Sequence, residues 1–351
     1  MSHSFHHLSN RRQILQYGAT SAAALWMGSA FAQQQRVLIG TWGGDYAKLL
    51  TKNIEDPFLK SKGIEVVQDQ AGDAPRRAKM FAEKRLPRGS ADIQALTAAG
   101  MFEMSGVEVL ETLDYSKIPN AKNLMASMKY PHGIGHIYSA NVVVYNPKMI
   151  KPVPTSFKEA LDSKWGNKLG FIDIQYQNVV MAASLAATGG ASMIDFEKAK
   201  DVLLAAKKAG ARIYPTNEAF AQALKTEEIG IGLMWKARAV MWQNAGIAVE
   251  SIAASEGIPL YVSVLSIAKN AQNKDAAYAY INAMLEKSAQ EAFAVDMGYN
   301  PTVTHAVVAP DLQKRIGFTA EEQKRMKDPN YDYLAKNDAA LKEWWDKVFK
   351  A

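Results

Sequence analysis

The stretch from residue 229 to residue 238 reads Ile229-Gly-Ile-Gly-Leu-Met-Trp235-Lys236-Ala-Arg238. Its first six residues alternate between large and small side chains, which is typical of a short buried strand. Apolar residues then recur at helical spacing, and Gly246 stands where a left-handed residue would end the helix. The sequence therefore predicts a strand that passes directly into a helix at Trp235.

Such a junction places a ring, positive charge and unpaired backbone N–H groups at one point. In an α/β protein this is a common way to build a site for a small ligand. Two further strands are predicted at Ala248–Ala253 and Leu260–Ile267, followed by a helix at Lys274–Leu285 that Asn273 caps. The predicted order of elements is strand, helix, strand, strand, helix.

The N-terminal part of the chain repeats the pattern of strand, turn and helix. A first strand at Arg36–Ile39 reaches a glycine turn that contains Trp42, and Asp45 can cap the helix that follows. A strand at 64–67 and a helix at 78–86 come next, and a strand at 92–96 then ends at Thr97. Alternating strands and helices imply a mainly parallel sheet with ligands at the carboxyl ends of its strands.

The run Ile137–Tyr145 is extended and apolar, with polar residues near its ends, and predicts a strand that crosses into a second lobe. After it, the pattern of the first lobe recurs, and the strand at Leu260–Ile267 would carry the chain back. We therefore predict an α/β protein with two lobes joined by a two-strand hinge. Lobe 1 would comprise residues 33–139 and 263–308, and lobe 2 residues 140–262 and 309–351.

The first 32 residues have the composition of a cleavable export signal. Arg11 and Arg12 precede an apolar, Ala-rich run without acidic residues, which ends at Ala30-Phe31-Ala32. The adjacent arginines favour a twin-arginine signal over an ordinary secretory signal, and either one leads to the periplasm. No later run is long and apolar enough to cross a membrane.

The composition excludes several classes of chemistry. The chain has 351 residues and no cysteine, so disulfides and thiolate metal sites or nucleophiles are ruled out. His132 and His136 are four residues apart, but the intervening Gly133 and Gly135 predict a loop, and surface or hydrogen-bonded histidines are favoured over metal ligands. The net charge is +6, and +4 without the two leader arginines, which is too mild to indicate nucleic-acid binding. We expect no cofactor and no metal.

Four short motifs follow one another along the chain: the segment that ends at Trp235, the turn Lys269-Asn-Ala-Gln-Asn-Lys274, the helix with Tyr280-Ile281-Asn282 and the sequence Gly298-Tyr-Asn-Pro-Thr302. In this order they resemble the motifs of bacterial extracellular solute-binding proteins of the spermidine/putrescine-binding type. The resemblance implies the two-lobed type II periplasmic-binding-protein fold. It also implies a non-catalytic role, in which the lobes close over a small molecule and deliver it to an inner-membrane ABC permease. We expect a monomer.

By the same resemblance, Trp42, Trp235, Tyr261 and the segment from Asp173 to Gln177 should line the cleft. Polyamine binders of this family hold ammonium groups with carboxylates, one of them two residues after the aromatic residue of the returning strand. Here that position is Ser263, and Gln177 stands where a second acid is expected. Only Asp173 is left as a counterpart.

The cations near Trp235 favour an anionic ligand instead. An ammonium group about 4 Å from a like charge would cost about 4 kcal/mol at an effective dielectric constant of 20. A carboxylate or phosphonate would be stabilised by charge-assisted hydrogen bonds. We expect Arg77, Lys236 and Arg238 to supply positive charge. Hydrogen-bonding groups are expected from Thr97, Asn141, Gln177 and Ser263.

Two alternatives stay open at this stage. In the first, the ligand is a polyamine anchored by Asp45, Asp173 and Glu256. In the second, the chain is an exported enzyme on a similar scaffold, although no evident nucleophile with its base is present. Ferric-iron binding is discounted because the sequence has no Tyr-Tyr pair.

Overall fold

The computed structural model describes residues 35–351, so the predicted export signal lies outside the described residues. The strands of the described part are β1 Gln35–Thr41, β2 Ile64–Gln70, β3 Ile93–Thr97, β4 Lys129–Tyr130, β5 Gly133–Tyr145, β6 Leu169–Ile172, β7 Arg212–Tyr214, β8 Ile231–Trp235, β9 Glu250–Ile252, β10 Ile258–Ile267, β11 Asn300–Pro301 and β12 Met326–Lys327.

The α-helices fill the intervals between the strands. They are α1 Asp45–Leu50, α2 Asp73–Ala82, α3 Ala98–Gly106, α4 Phe157–Ala160, α5 Tyr176–Thr188, α6 Phe196–Lys208, α7 Asn217–Lys225, α8 Lys236–Asn244, α9 Lys274–Met284, α10 Lys287–Met297, α11 Pro310–Ile316, α12 Ala320–Lys324 and α13 Tyr331–Trp344. A π-helical segment extends α1 from Thr51 to Leu59, and a second one, Trp345–Phe349, follows α13.

The order predicted for the segment around Trp235 is confirmed. Strand β8 ends at Trp235, helix α8 begins at Lys236, and β9, β10 and α9 follow. Gly246 has a φ of 78°, the left-handed conformation predicted beyond the end of α8. Asn273 is the residue before α9, but its side chain does not cap the helix. Its Nδ2 instead donates to the buried carboxylate of Asp92, 3.1 Å away, so the predicted side-chain cap is wrong.

The strands form two sheets that share one long strand. In the first sheet the order is β2-β1-β3-β10-β5, and in the second it is β5-β8-β6-β7. The outer strands are parallel, as predicted, with Ile39 opposite Ile93 and Gly170 opposite Arg212. The central strands β10 and β5 run antiparallel to each other, and they are also antiparallel to β3 and β8 respectively. The predicted crossing strands therefore exist, and each sheet is parallel only away from them.

Hydrophobic residues collect on either side of this junction. A first core unites residues of β1, β3 and the paired parts of β5 and β10 with helices α9 and α10. A second core covers one face of the second sheet, around Val143, Leu169 and Trp345, while a further cluster around Val142 and Phe220 covers its other face. This is the two-lobed type II fold. The residue boundaries given above for the lobes stay a prediction.

The alternating glycines of the 229–234 stretch have a packing role. A Cβ at Gly232 would lie 2.6 Å from the Gly170 carbonyl oxygen and 2.6 Å from the Phe220 ring. Phe220 is fully buried, so its ring occupies the space that a side chain on β8 would need. The small residues of this pattern therefore leave room for helix α7 to pack against the sheet.

Several boundaries differ from the sequence prediction, and three of the differences affect residues named above. Gly133 and Gly135 lie in β5 rather than in a loop. The glycine at position 133 serves packing, because a Cβ there would lie 2.5 Å from the Val264 side chain. Helix α2 begins at Asp73, five residues before the predicted start, so its arginines are helical. Asp45 is the first residue of α1, and the cap position belongs to Gly44.

Within residues 35–351, no helix has the length and apolar character needed to cross a membrane.

Candidate functional site

The candidate site lies where strand ends from both sheets meet the two central strands. Trp235, the last residue of β8, is opposite Asn141 on β5, and Tyr261 on β10 is opposite Ser139. Because β5 lies between β8 and β10 in the sheet, Trp235 and Tyr261 come from strands on either side of it. Their rings nevertheless meet, with centroids 4.2 Å apart. The strand pairing thus brings together two of the predicted ring faces.

The Trp235 and Tyr261 rings belong to a larger aromatic group. The Tyr261 ring also lies 5.9 Å from that of Tyr299, which follows α10. Burial raises the pKa of Tyr261 and that of Tyr299, so both hydroxyls stay protonated and can donate hydrogen bonds. Trp235 and Tyr261 are partly exposed, and their rings provide a surface against which a ligand could pack.

Trp42 forms a second aromatic surface at the end of β1. Its ring is edge-on to that of Tyr46, 5.3 Å away, and the Arg76 guanidinium lies 5.0 Å from its centroid. The ring is partly exposed, which fits either a packing role or a stacking role. Cation–π contact of this kind stabilises the ring's position.

Below Trp42, a buried polar chain connects β10 to β5. The Tyr46 hydroxyl is 3.3 Å from Ser263 Oγ and 3.0 Å from His136 Nδ1. His136 is fully buried, and burial lowers its pKa to about 3, so the ring is neutral at physiological pH. Ser263, a predicted hydrogen-bonding residue, is 1% exposed and takes part in this chain.

Arg76 is a residue of the site that the sequence prediction does not include. It is 2% exposed and donates to the carbonyl oxygens of Gly40, at 3.2 Å, and Ala95, at 2.5 Å. Its Nη2 has no partner among the described residues and lies 4.0 Å from Asp73 Oδ1. Burial lowers the pKa of Arg76, and the Asp73 carboxylate opposes this change. Spacing along the sequence does not single it out, because Arg76 and Arg77 each precede an apolar residue by four positions, Met80 and Phe81 respectively.

Arg77, which the sequence does predict as a source of positive charge, is already neutralised. Its Nε donates to Asp73 Oδ2 at 2.8 Å, and its Nη1 is paired with Glu103 on α3. Thr97 caps α3 by accepting a hydrogen bond from the Gly100 N–H at 3.0 Å. Both residues therefore already have intramolecular partners.

The two cations of α8 differ in their surroundings. The Lys236 ammonium group donates to the Gly317 carbonyl and lies 4.6 Å from the centroid of the Phe318 ring. Burial lowers the pKa of Lys236. Arg238, in contrast, has a buried Nε without a partner in the described part of the chain, and its Nη1 is 3.9 Å from the exposed Glu218. Arg238 is therefore the α8 cation with spare hydrogen-bonding capacity.

Arg238 is also next to the aromatic group. Its positive charge acts on Tyr261 and on the Tyr299 hydroxyl, opposing the rise in pKa that burial causes in both. A buried guanidinium N–H that lacks an acceptor is unfavourable by about 1–3 kcal/mol. This site can therefore accept an anionic or carbonyl oxygen with a net gain.

The predicted residues of the segment from Asp173 to Gln177 are bound to the C-terminal region. Asp173 Oδ1 accepts from Trp345 Nε1 at 2.7 Å, and its Oδ2 accepts from Lys350 at 2.8 Å. Gln177 Nε2 donates to Asp338 on α13 at 2.6 Å. The structure does not bring Asp173 together with Trp235 and Tyr261 in any contact.

The remaining predicted residues lie in varied settings. Asn141 is 2% exposed, and its Nδ2 donates to the Asn178 carbonyl at 3.2 Å. Asp45 is on the surface, with its carboxylate 3.9 Å from the Lys48 ammonium group. Glu256, considered for polyamine binding, accepts the backbone N–H groups of Phe157 and Lys158 at 3.0 and 2.9 Å. Among residues 35–351, no group of histidines and carboxylates is arranged to hold a metal ion.

Comparison with known proteins places this fold and site in context. The family model described as bacterial extracellular solute-binding protein matches residues 53–320. The spermidine/putrescine-binding periplasmic protein of Salmonella typhimurium is 22% identical over 347 residues, which covers 94% of this chain and 96% of the relative.

Solved structures show the same fold. The Atu4243-GABA receptor has a TM-score of 0.79 at 21% identity, covering 90% of this chain and 98% of the other. AgtB from A. tumefacien R10, solved in complex with agropinic acid, has a TM-score of 0.75 at 18% identity, covering 91% of this chain and 100% of the other.

Proposed function

This chain belongs to the bacterial extracellular solute-binding proteins and is the substrate-binding component of an ABC transporter, and on that premise we propose that it binds a small organic anion at Arg238. The ligand would carry a carboxylate or phosphonate. Its body would pack against the rings of Trp235 and Tyr261, with Trp42 on the opposite side. The chain passes its ligand to a membrane permease, as its family does.

The observation that carries this proposal is the buried Nε of Arg238, which has no hydrogen-bond partner within residues 35–351 and lies beside Tyr299 and Tyr261. A carboxylate oxygen there would accept a charge-assisted hydrogen bond from the guanidinium group, and the Tyr299 hydroxyl could add a second one. Such bonds are about twice as strong as bonds between neutral groups. The same position would repel an ammonium group.

The surrounding charges agree with an anionic ligand. The positive charge of Arg77 is neutralised by the carboxylates of Asp73 and Glu103. The nearest carboxylate to Arg76 among the described residues is that of Asp73, at the longer distance of 4.0 Å. The nearest carboxylate to Arg238 among the described residues is the exposed Glu218, at 3.9 Å, so the three arginines face three carboxylates but Arg76 and Arg238 are paired only at 3.9–4.0 Å. In a partly desolvated cleft such loosely paired arginines attract negative charge.

A polyamine is the second candidate, because one carboxylate oxygen also lacks a partner. Asp73 Oδ1 is buried without a hydrogen bond in the described part of the chain. An ammonium group could bind there if it also tolerated the neighbouring Arg76 and Arg77. The relatives whose names include spermidine and putrescine support this candidate by similarity alone.

We also propose how the chain is organised for this task. Lobe 1 would comprise residues 33–139 and 263–308, and lobe 2 residues 140–262 and 309–351. Residues 1–32 would direct export by the twin-arginine route, and the mature protein would act as a monomer without nucleic acid or a catalytic step. Binding would shift an equilibrium between open and closed forms toward the closed form.

A thermal-shift screen of residues 33–351 tests the ligand assignment. Matched panels of small carboxylates, aminophosphonates, amino acids and polyamines would be compared. A ligand at about 100 times its Kd stabilises the folded state by roughly 2.7 kcal/mol. We expect a shift with anions that Arg238→Gln abolishes and Lys236→Met retains.

Other results would count against the proposal. A shift with spermidine or putrescine alone would make the polyamine the ligand. An anion shift that Arg238→Gln leaves unchanged would place the anion elsewhere.

A further inference from the structure

The C-terminal helix α13 contacts both hydrophobic cores of the protein. At its first residue, the Tyr331 ring packs against the first core and lies 5.6 Å from the Phe102 ring of α3. Two residues later, the Tyr333 ring lies 5.3 Å from that of Phe196 on α6. Phe196 packs against the second core. The first turn of α13 therefore lies across the boundary between the two parts of the molecule.

The C-terminal end of the same helix is anchored firmly in the second core. Leu341 and the fully buried Trp345 and Phe349 are members of that core. Trp345 Nε1 and Lys350 both donate to Asp173, at the end of β6. Removing large, fully buried side chains from an apolar core into water is unfavourable, so this end is not expected to detach.

The middle of α13 is held to the start of α5. Asp338 Oδ1 accepts from the Tyr176 hydroxyl at 2.5 Å and from Gln177 Nε2 at 2.6 Å. Arg77, on α2 of the first part, is close enough to act on Tyr176, opposing the rise in pKa that burial causes. The helix thus runs beside a point where the first and second parts approach each other.

The attachments of α13 to the two cores are unequal. On the second core they are buried and include hydrogen bonds to carboxylates. On the first core they include the Phe102 ring, which is 37% exposed, and the partly buried Tyr331 ring. When the two parts separate, the contact of α13 with α3 would therefore break before its attachment to the second core.

We propose that α13 is a strap that holds the two lobes together in the ligand-free protein, and that the cleft opens by separating Tyr331 from Phe102. The strap would act as a non-covalent connection, beside the chain crossings in β5, in β10 and between residues 308 and 309. Unlike those strands, it can be released without breaking a hydrogen-bonded sheet. The proposal rests on the two-lobed fold and is independent of the ligand.

The test measures the distance between the lobes without any ligand. Because the chain has no cysteine, Lys62→Cys and Lys225→Cys allow a spin label at one exposed position on each side. Pulsed electron paramagnetic resonance then gives the distribution of label distances. We expect Phe102→Ala and Tyr331→Ala each to shift the distribution to longer distances.

The matched control is Phe81→Ala, which removes another exposed phenylalanine, 58% exposed, on the neighbouring helix α2. It should leave the distances unchanged, and circular dichroism would confirm that each variant is folded. Unchanged distances in both Phe102→Ala and Tyr331→Ala would overturn the proposal. So would an equal shift in the Phe81→Ala control. Neither result would affect the assignment of the anion to Arg238.

Discussion

The Trp235 ring lies against the Tyr261 ring, with 4.2 Å between their centroids and 32° between their planes. The two residues are 26 positions apart and lie on strands that flank β5. The sequence predicts that each ring packs on a ligand, and here each packs on the other. A ligand that uses both rings must therefore either cover the outer face of the pair or enter between them.

Replacing Tyr261 should weaken ligand binding when the substitution removes the aromatic ring. An aromatic pair contributes about 0.5–1.5 kcal/mol beyond the area that it buries, so Tyr261→Ala should raise Kd roughly two- to tenfold. Tyr261→Phe keeps the ring and should bind nearly as the wild type does. Isothermal titration with the ligand from the thermal-shift screen measures this. Equal affinities for the Ala and Phe variants would show that the ring is not used.

Replacing Arg238 should have a larger effect on binding. Loss of a hydrogen bond between charged groups costs about 1.5–3 kcal/mol, so Arg238→Gln should raise the Kd for an anion roughly 10- to 150-fold. Arg315→Gln is the matched control, because Arg315 donates to Asn244 at the other end of α8 and is exposed. Titration calorimetry would compare the two variants. Equal losses in both would indicate a general charge effect.

His136 should make stability depend on pH. Burial lowers its pKa to about 3 in the folded protein, whereas a histidine in an unfolded chain has a pKa near 6.5. Between these values the unfolded chain binds a proton that the folded chain does not. The stability that comes from keeping His136 neutral is therefore fully present above about pH 6.5. As the pH falls below this value, the free energy of unfolding decreases by at most about 1.4 kcal/mol per pH unit.

Urea unfolding between pH 4 and pH 7 checks the His136 prediction. His136→Gln should flatten the pH dependence of the unfolding free energy, whatever its effect at pH 7. The exposed His305 provides the control, because His305→Gln should keep the wild-type slope. An unchanged slope in His136→Gln would assign the pH dependence to other groups.

Gly232→Ala should destabilise the cluster around Val142 and Phe220. The new methyl group would lie 2.6 Å from the Gly170 carbonyl oxygen and would displace the Phe220 ring. Overpacking of this kind costs about 1–3 kcal/mol, which thermal unfolding would detect as a lower Tm. Gly106→Ala is the control, since nothing lies within 4 Å of the position that its new methyl group would take. A Tm equal to that of the control would mean that Phe220 moves aside freely.

Local patterns are sufficient to predict much of the fold. The alternation before Trp235 and the helical spacing after it predict the correct order of elements, because both patterns reflect packing against immediate neighbours. The predictions for Asn273 and Gly133 are wrong because their side chains or positions are determined by residues that are distant in the sequence. The Asn273 amide donates to Asp92, 181 positions away, and Gly133 is small because Val264 of a distant strand needs the space.

The candidate site is harder to predict, because its partners are distant in sequence. Asp173 and Gln177 follow β6, where ligands usually bind, but their side chains bond to residues 345, 350 and 338. No local pattern distinguishes Arg76 from Arg77, since only the three-dimensional structure places Arg76 beneath Trp42. Trp235 and Arg238 are predicted because a strand and a helix meet there, and Tyr261 is predicted from the family resemblance. Their role in binding stays a prediction.

Strand β5 is shared by both sheets, and this has a consequence for hydrogen exchange. Its first half is bonded to β10 and its second half to β8, so its peptide groups are paired along both halves. Moving one half of the molecule relative to the other must twist this ladder, because opening it would leave buried N–H groups without acceptors. The amide hydrogens of β5 should therefore exchange among the slowest in the chain. The strand about which the two halves move would then be the segment of the chain that is best protected from hydrogen exchange. A search for mobile loops would not find it.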